Sequence, residues 1–309
     1  MNNSLKPMLD PEELINKLRS LGVRFNIINE EEAKHILSKK TYYFKLGYFR
    51  TNFPKQNNKY NIEFAYLSDL ASIDMRLRYL LVTMCLDIEH IIKTEILHDI
   101  SLKPDEDGYT IMSDFYKSET QKKRTFRNVM IKEKIEIDGK ITKKEVPKQE
   151  FKKYYDNPPI WVCFELISYN QFNEFLQFYQ SRFNDPKFFL ATRCIGNVRK
   201  IRNVSAHNQP LLVNLHNPKH DSTNSLLMNE SVNEFNLSYT QMKLLPVRNI
   251  SAVFLLHKRY CHKKTITNLK DELISFKLQL NKNATFYKTE KHLNMSFSAI
   301  NKIIDSYIQ

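Results

Sequence analysis

The sequence predicts an all-α fold, a helical bundle carrying one small charged β-hairpin insert, on three observations. Apolar residues recur at steps of three and four along most of the chain, glycine is scarce, and a single Asp138-Gly139 step sits among alternating apolar residues. The five glycines of the 309-residue chain are Gly22, Gly47, Gly108, Gly139 and Gly196, well short of the roughly 7% typical of proteins. They lie far apart. Phosphate-cradling loops need clustered glycines so that backbone N–H groups can approach the anion, so a P-loop or dinucleotide fingerprint is excluded. Turn-rich barrels and sandwiches are disfavoured for a related reason, since their hairpins draw on glycine for positive φ.

Each element has its own signal. Asp10 caps a first helix, Pro11 fits its first position, Glu13 completes a capping-box spacing, and Gly22 ends it after the face Leu14, Ile15, Leu18 and Leu21. A second short helix is expected over 30–38. Residues 42–49 then pack five aromatics into eight positions; with only Lys45 among them, they read as core or interface rather than as a base-stacking surface. From Ile62 to Ile100, Leu67, Leu70, Ile73, Leu77, Leu80, Leu81, Met84, Ile88, Ile91, Ile92 and Ile96 mark one long amphipathic helix, the spine of the bundle. Residues 117–150 hold 11 basic and 6 acidic side chains and contain the hairpin signal. After Pro158-Pro159, the apolar positions from Trp161 to Tyr179 describe one helix, or two with a break near 168–170. A helix over 187–208 must stop before Pro210. Residues 214–236, rich in Asn, Ser and His, read as a loop, and helices are expected over 238–258, 265–279 and 295–307. The expected organisation is an N-terminal helical segment (1–61), a helical core (62–260) with its insert near 117–150, and a C-terminal helical extension (261–309).

Lys and Arg outnumber Asp and Glu by 47 to 34, a net charge of +13. That excess points to a polyanionic partner, although a Lys- and Asn-rich composition could produce it without one. Its distribution favours the partner. Residues 117–150 carry +5; residues 182–202 hold six basic against one acidic side chain, and residues 258–291 nine against three. Cys85, Cys163, Cys194 and Cys261 are widely spaced, as expected of thiols in a reducing compartment. Residues 1–9 lack the apolar core of a signal peptide, and no apolar run reaches the length of a membrane span. A cytoplasmic protein without membrane attachment is expected.

One segment could carry chemistry. On an ideal helix, Arg199, Arg202, Asn203, Ala206 and His207 share an arc of about 140°, while Val198, Ile201 and Ser205 point the other way. Such a helix buries its apolar side and presents two arginines, an amide and an imidazole together. Those groups suit metal-independent RNA cleavage. Histidine titrates near neutrality and exchanges the protons that 2′-hydroxyl attack requires, and arginine holds the phosphorane oxygens as charge builds. The chain holds only one such set. If two proton transfers need two histidines, a homodimer would supply them.

Arg202-Asn203-Val204-Ser205-Ala206-His207 resembles the R-N-x-x-A-H form of the R-x(4–6)-H motif of HEPN domains. The surrounding chain is similar to the Abi family of phage abortive-infection proteins, of the AbiD/AbiF type. The similarity rests on Tyr42-Tyr43-Phe44-Lys45-Leu46-Gly47-Tyr48, on Asp74-Met75-Arg76-Leu77-Arg78 followed by Ile88-Glu89, and on Trp161-Val162-Cys163-Phe164-Glu165-Leu166-Ile167-Ser168. These blocks stand in the family's order and cover roughly residues 5–215. The resemblance implies a HEPN-like bundle with ribonuclease chemistry at a dimeric composite site, in phage defence or a toxin–antitoxin system. It implies Arg202 and His207 as catalytic, Asn203 as their support, and Glu89 as a matching acid that supports the site or the fold. Kinship with RNA-guided effectors of similar motif adds a noncoding RNA to the expected partners. Beyond the motif the chain reads Asn208-Gln209-Pro210-Leu211, where relatives often carry His and Arg. RNA contacts are expected from Arg199, Lys200, Lys122, Lys123 and Arg124.

No cofactor or metal is expected. Glu95-Ile96-Leu97-His98 is an E-x-x-H without the second copy that di-iron bundles need, and His216 and His220 are interrupted by Pro218 and have no accompanying glutamate. Two further readings stand beside the nuclease. One is an RNA-binding protein holding a noncoding RNA with its site silent. The other is a protein-interaction bundle with no nucleic acid.

Overall fold

Asp10 starts the first helix, α1 (Pro11–Ser20), as its spacing predicts. Its carboxylate accepts the Glu13 backbone N–H at 2.8 Å while the Glu13 carboxylate accepts that of Asp10 at 2.9 Å, so both exposed donors are satisfied reciprocally. The computed structural model describes residues 8–117, 131–137, 140–215 and 224–309, the hairpin strands by their backbone. Gly22 ends α1 at φ 83°, and a Cβ there would lie 2.8 Å from that of Lys59. A short strand β1 (Val23–Arg24) comes next, pairing in parallel with β2 (Ile62–Glu63). Ile62 and Glu63 thus belong to a strand. The long helix, α4 (Phe64–Ser101), begins after them.

Between the strands lie α2 (Glu30–Lys39), capped by Asn29, and α3 (Tyr43–Phe49). The aromatic segment divides between core and surface: Leu46 and Phe49 are fully buried, whereas Tyr42, Phe44 and Tyr48 are exposed. Along α4 the predicted apolar face is buried, with Leu67, Leu70, Ile73, Leu81, Met84, Ile88, Ile92 and Ile96 sealed from solvent. Burial of side chains this size contributes about 1.5–3 kcal/mol each.

After α5 (Thr110–Lys117) come the strands β3 (Ile131–Ile137) and β4 (Lys140–Pro147), antiparallel with Ile137 opposite Lys140. The Asp138-Gly139 turn between them lies outside the described residues. The open choice over residues 161–179 resolves to two helices, α6 (Ile160–Leu166) and α7 (Tyr169–Phe183). Ile167 leaves the helical conformation, and Ser168 caps α7 in a box with Gln171. The next helix is α8 (Pro186–Ala206).

The loop expected over 214–236 needs correcting, because α9 (Ser225–Phe235) occupies its second half. Asn224 caps it by accepting the Leu227 N–H at 3.2 Å, and Leu227, Met228, Ser231 and Phe235 form its buried face. Four apolar or small positions in a polar segment suffice for an amphipathic helix, and the Asn and Ser content masked them. The helix expected over 238–258 is divided into α10 (Tyr239–Met242) and α11 (Leu245–Tyr260); α12 (Lys263–Lys282) and α13 (Lys291–Ile308) complete the chain.

The chain forms two units, residues 1–86 with 200–309 and residues 87–199, and both boundaries fall inside helices, α4 and α8. In the first unit the C-terminal region packs on the first half of α4. The Tyr287 hydroxyl donates to Asp69 at 2.7 Å, Asn283 donates to the same carboxylate at 2.8 Å, and Arg76 donates to Gln279 at 2.6 Å. Buried His257 shares a 2.7 Å hydrogen bond with the Tyr307 hydroxyl, joining α11 to α13. The second unit is built around aromatic edges: Phe115, Phe164 and Tyr179 surround Phe175, with ring centroids 5.1–6.3 Å from it. Arg182 clamps Glu106 at 2.7 Å and Asp114 at 2.8 Å. No helix among the described residues is long and apolar enough to cross a membrane.

Two substitutions should separate capping from packing. Phe175→Ala, at a fully buried ring, is expected to cost about 3–5 kcal/mol; Asp10→Ala should cost about 1 kcal/mol. Urea unfolding monitored by circular dichroism measures both, and equal losses would contradict this assignment of the core.

Candidate functional site

The helix α8 buries the side that its pattern predicts. Cys194, Ile195, Val198 and Ile201 are fully inaccessible and Ser205 nearly so, while Asn203, Ala206 and His207 are exposed and Arg202 is half-buried. Helix geometry therefore presents an amide, a methyl and an imidazole within the last turn and a half. The Arg202 guanidinium donates to the Asn203 side-chain carbonyl at 3.3 Å, so that carbonyl is engaged and the amide N–H₂ is the donor end of the side chain.

His207 is the last residue of the helical hydrogen-bond ladder, its N–H donating to the Asn203 carbonyl at 3.0 Å. A Schellman closure ends the helix immediately after it. The Asn208 N–H donates to Ser205 at 3.1 Å and the Gln209 N–H to Val204 at 2.8 Å, with Asn208 in the left-handed region at φ 53°. The helix is thus stopped by Asn208, two residues ahead of the proline whose restriction predicts the stop. Two carbonyls that would otherwise lack partners, those of Val204 and Ser205, are satisfied. The position of His207 is fixed by backbone bonds on either side.

The closure is held in turn by a polar cluster. The Asn208 Oδ1 accepts from Lys45 Nζ and from an Arg78 guanidinium nitrogen, each at 2.7 Å. Arg78 Nε donates to Asp74 Oδ2 at 2.8 Å, and both side chains are wholly buried. The other oxygen of Asp74 accepts the backbone N–H groups of Leu211 and Leu212, each at 2.7 Å. Asn52 donates to the Leu212 carbonyl at 2.7 Å and accepts the Leu215 N–H at 3.2 Å. Four elements, α3, the turn after it, α4 and the segment after α8, therefore meet at the end of the helix that carries His207. Burial, with Arg78 nearby, pushes the Lys45 ammonium below the ordinary lysine value, and Asp74 offsets this only in part.

The other residues expected at the site are more dispersed. Lys200 is exposed on α8. Arg199 belongs to the second unit, where its guanidinium donates to the Asn170 side chain. Glu89, in the same unit, pairs with Lys93 at 2.7 Å, and Lys93 also donates to the Phe164 carbonyl at 2.8 Å. That arrangement gives Glu89 a role in holding α6 on α4. Lys122, Lys123 and Arg124 lie outside the described residues, as do His216 and His220. Glu95 forms an ion pair with Lys187 at 3.1 Å, and no group of three or more His, Cys, Asp or Glu side chains suited to a metal is present among the described residues. In the sequence, Asp74 and Arg78 figure only as parts of a block, and Lys45 and Asn208 carry no expected role at the site. The available signal was Asn208 itself, a residue tolerant of the left-handed region placed directly after a helical pattern and two before proline.

Substitution at Asn208 should resolve backbone from side chain. Asn208→Gly keeps the left-handed turn but leaves Lys45 and Arg78 without their shared acceptor, at a cost of about 1–3 kcal/mol; Asn208→Ala should add roughly 1 kcal/mol of left-handed strain. Asp74→Ala strands the buried guanidinium and should cost about 3–5 kcal/mol. Because the native Lys45 value is depressed, the unfolded chain binds more protons in the alkaline range. The lysine's contribution to stability therefore rises as pH climbs toward 10.5. Denaturation across that range should show a slope that Lys45→Met removes, and an unchanged slope would refute the assignment.

No curated protein and no solved structure matches the chain. The sequence profile of the Abi-like protein family matches residues 35–213, from α2 to the segment fastened on Asp74, and so spans the Lys45, Asp74–Arg78 and Arg202–His207 blocks in one continuous match. The chain belongs to the Abi-like protein family, whose name associates it with abortive infection, a form of phage defence.

Proposed function

We propose that this protein is a metal-independent endoribonuclease of the HEPN type, acting in phage defence as a homodimer. The observation that carries the reading is the exposed Asn203–His207 face, with Arg202 beside it, on a helix end fixed by the Asn208 closure. In the reaction, the 2′-oxygen of a ribose attacks the adjacent phosphorus and the bond to the 5′-oxygen breaks. The products are a 2′,3′-cyclic phosphate and a free 5′-hydroxyl. The 2′-hydroxyl proton passes to a neutral imidazole, and the departing 5′-oxygen takes a proton from an imidazolium. One histidine per chain supplies one of these roles, so His207 from each of two copies completes the pair. Arg202 neutralises the phosphorane oxygens, and Asn203 orients the imidazole or the phosphate.

Dimer formation has support in the same unit. Tyr79 and Leu86 form an exposed apolar stripe on α4, two turns apart, with Phe44 and Tyr48 exposed on α3. Apolar side chains aligned in this way mark an interaction surface rather than scattered exposure. The basic excess of residues 182–202 and 258–291 supports a polyanionic partner, and Lys200 is exposed on α8 two positions before Arg202.

Purified protein should cleave RNA in the presence of a chelator and leave cyclic phosphate ends, while DNA, lacking the 2′-hydroxyl, survives. His207→Ala should reduce the rate by about 10²–10⁴-fold with an unchanged melting curve. Full cleavage by that variant would overturn the assignment. RNA retained through purification without cleavage by the stripped protein would instead favour a binder with a silent site. Tyr79→Glu with Leu86→Glu should yield a monomer by light scattering that binds RNA but does not cut it.

A further inference from the structure

The polar cluster behind His207 carries more positive charge than its carboxylate neutralises. Lys45 and Arg78 are both buried, and Asp74 is the carboxylate between them. Both oxygens of that carboxylate are engaged: one takes Arg78 Nε and the other takes two backbone N–H groups. Lys45 is left with a neutral amide, the Asn208 side chain, as its acceptor. The Nη2 nitrogen of Arg78 is buried with no hydrogen-bond partner among the described residues, and so is the Thr41 hydroxyl. Buried cations without counter-charge are costly, and a buried donor without a partner calls for an explanation, of which a bound anion is one.

An opening for that anion lies beside Lys45. A cleft of about 280 Å³ in the first unit is lined on its polar side by Lys40, Thr41, Lys45, Ser68 and Ser72. No carboxylate is among its lining side chains in the described residues. Ser72 is occupied by the Ser68 carbonyl at 3.0 Å, so Lys40, Lys45, Thr41 and Ser68 remain as donors, two of them cationic. The rest of the lining is apolar, from Ile36, Ala71 and Met75. The size is at the small end of ligand pockets, and the apolar wall offers a surface that a bare inorganic anion would not use.

We propose that this cleft binds a phosphate monoester bearing a compact organic group, of the nucleoside monophosphate class. Its phosphate pairs with Lys45 and Lys40 and accepts from Thr41 and Ser68, while the organic part lies on Ile36, Ala71 and Met75. The phosphate neutralises the surplus charge of the Lys45–Arg78–Asp74 cluster. The proposal does not depend on RNA cleavage, and its test measures none.

Isothermal titration at constant ionic strength, with chloride as the control anion, is the experiment. The probes are inorganic phosphate and adenosine 5′-monophosphate. Saturable 1:1 binding of the nucleotide is expected, with phosphate weaker. Lys45→Met should weaken both by roughly tenfold or more. Because Lys45 also braces Asn208, Ser68→Asp is the second variant: it puts a negative charge into the cleft and leaves the Lys45–Asn208 bond in place. It should abolish binding with an unchanged circular dichroism melt, while His207→Ala binds as the unaltered protein does. Two sources of the same chemistry are separated by a trinucleotide with and without a 5′-phosphate, added to His207→Ala. Preference for the phosphorylated form assigns an RNA end, and equal weak binding of both assigns the free nucleotide. Absence of saturation by either probe up to about 10 mM, or undiminished binding by folded Ser68→Asp, overturns the proposal.

Discussion

The end of the helix carrying His207 is held by charge. A buried ion pair is not in itself stabilising, since desolvation of Asp74 and Arg78 offsets much of their attraction. What the pair contributes is position. Asp74 receives Arg78 on one oxygen and the Leu211 and Leu212 N–H groups on the other, so the chain leaving α8 cannot shift without stranding a carboxylate, a guanidinium and two amide donors together. Apolar packing tolerates small slides, because each contact is weak and non-directional. A network of short hydrogen bonds does not. The acid–base role proposed for His207 requires close placement, and a helix terminus, where fraying is the rule, does not by itself supply it.

Fold class was legible because it depends on periodicity and capping, which are local. The capping box at Asp10, the burial of α4 along its predicted face, and the alternation on α8 all arise from side-chain spacing alone. Legibility failed where polar residues do structural work. Residues 214–236 read as a loop because they are rich in Asn, Ser and His, although four buried positions suffice to seat α9 in their second half. The strand at Ile62–Glu63 is set by a parallel partner 39 positions earlier, at Val23–Arg24, and no local pattern encodes such a partner.

The candidate site divides along the same line. Arg202, Asn203 and His207 could be placed on one helix face by counting residues. Their support could not, because Lys45 and Asn208 are 163 positions apart and Arg78 and Asn208 are 130 apart. Blocks around Lys45, Asp74–Arg78 and Arg202–His207 stand separately in the sequence; the fold shows the first two fastening the third. Glu89, a neighbour of the second block, is occupied with Lys93 and the α6 carbonyl.

The glycine shortage acquires a positive counterpart in asparagine. Among the described residues seven asparagines, and two glycines, take positive φ. Asn184 ends α7, Asn236 ends α9, and Asn208 closes α8. Asparagine tolerates the left-handed region at modest cost because its short amide interacts locally with the backbone. A composition rich in Lys and Asn therefore does not leave a helical protein without turns; it changes which residue makes them. At position 208 the exchange matters beyond the backbone. Glycine would permit the same Schellman closure but would offer Lys45 and Arg78 nothing to bond. With asparagine, the residue that stops the helix also supplies the acceptor that ties that stop to α3 and α4. Turn formation and the bracing of His207 thus meet at one residue, the first through its backbone and the second through its side chain.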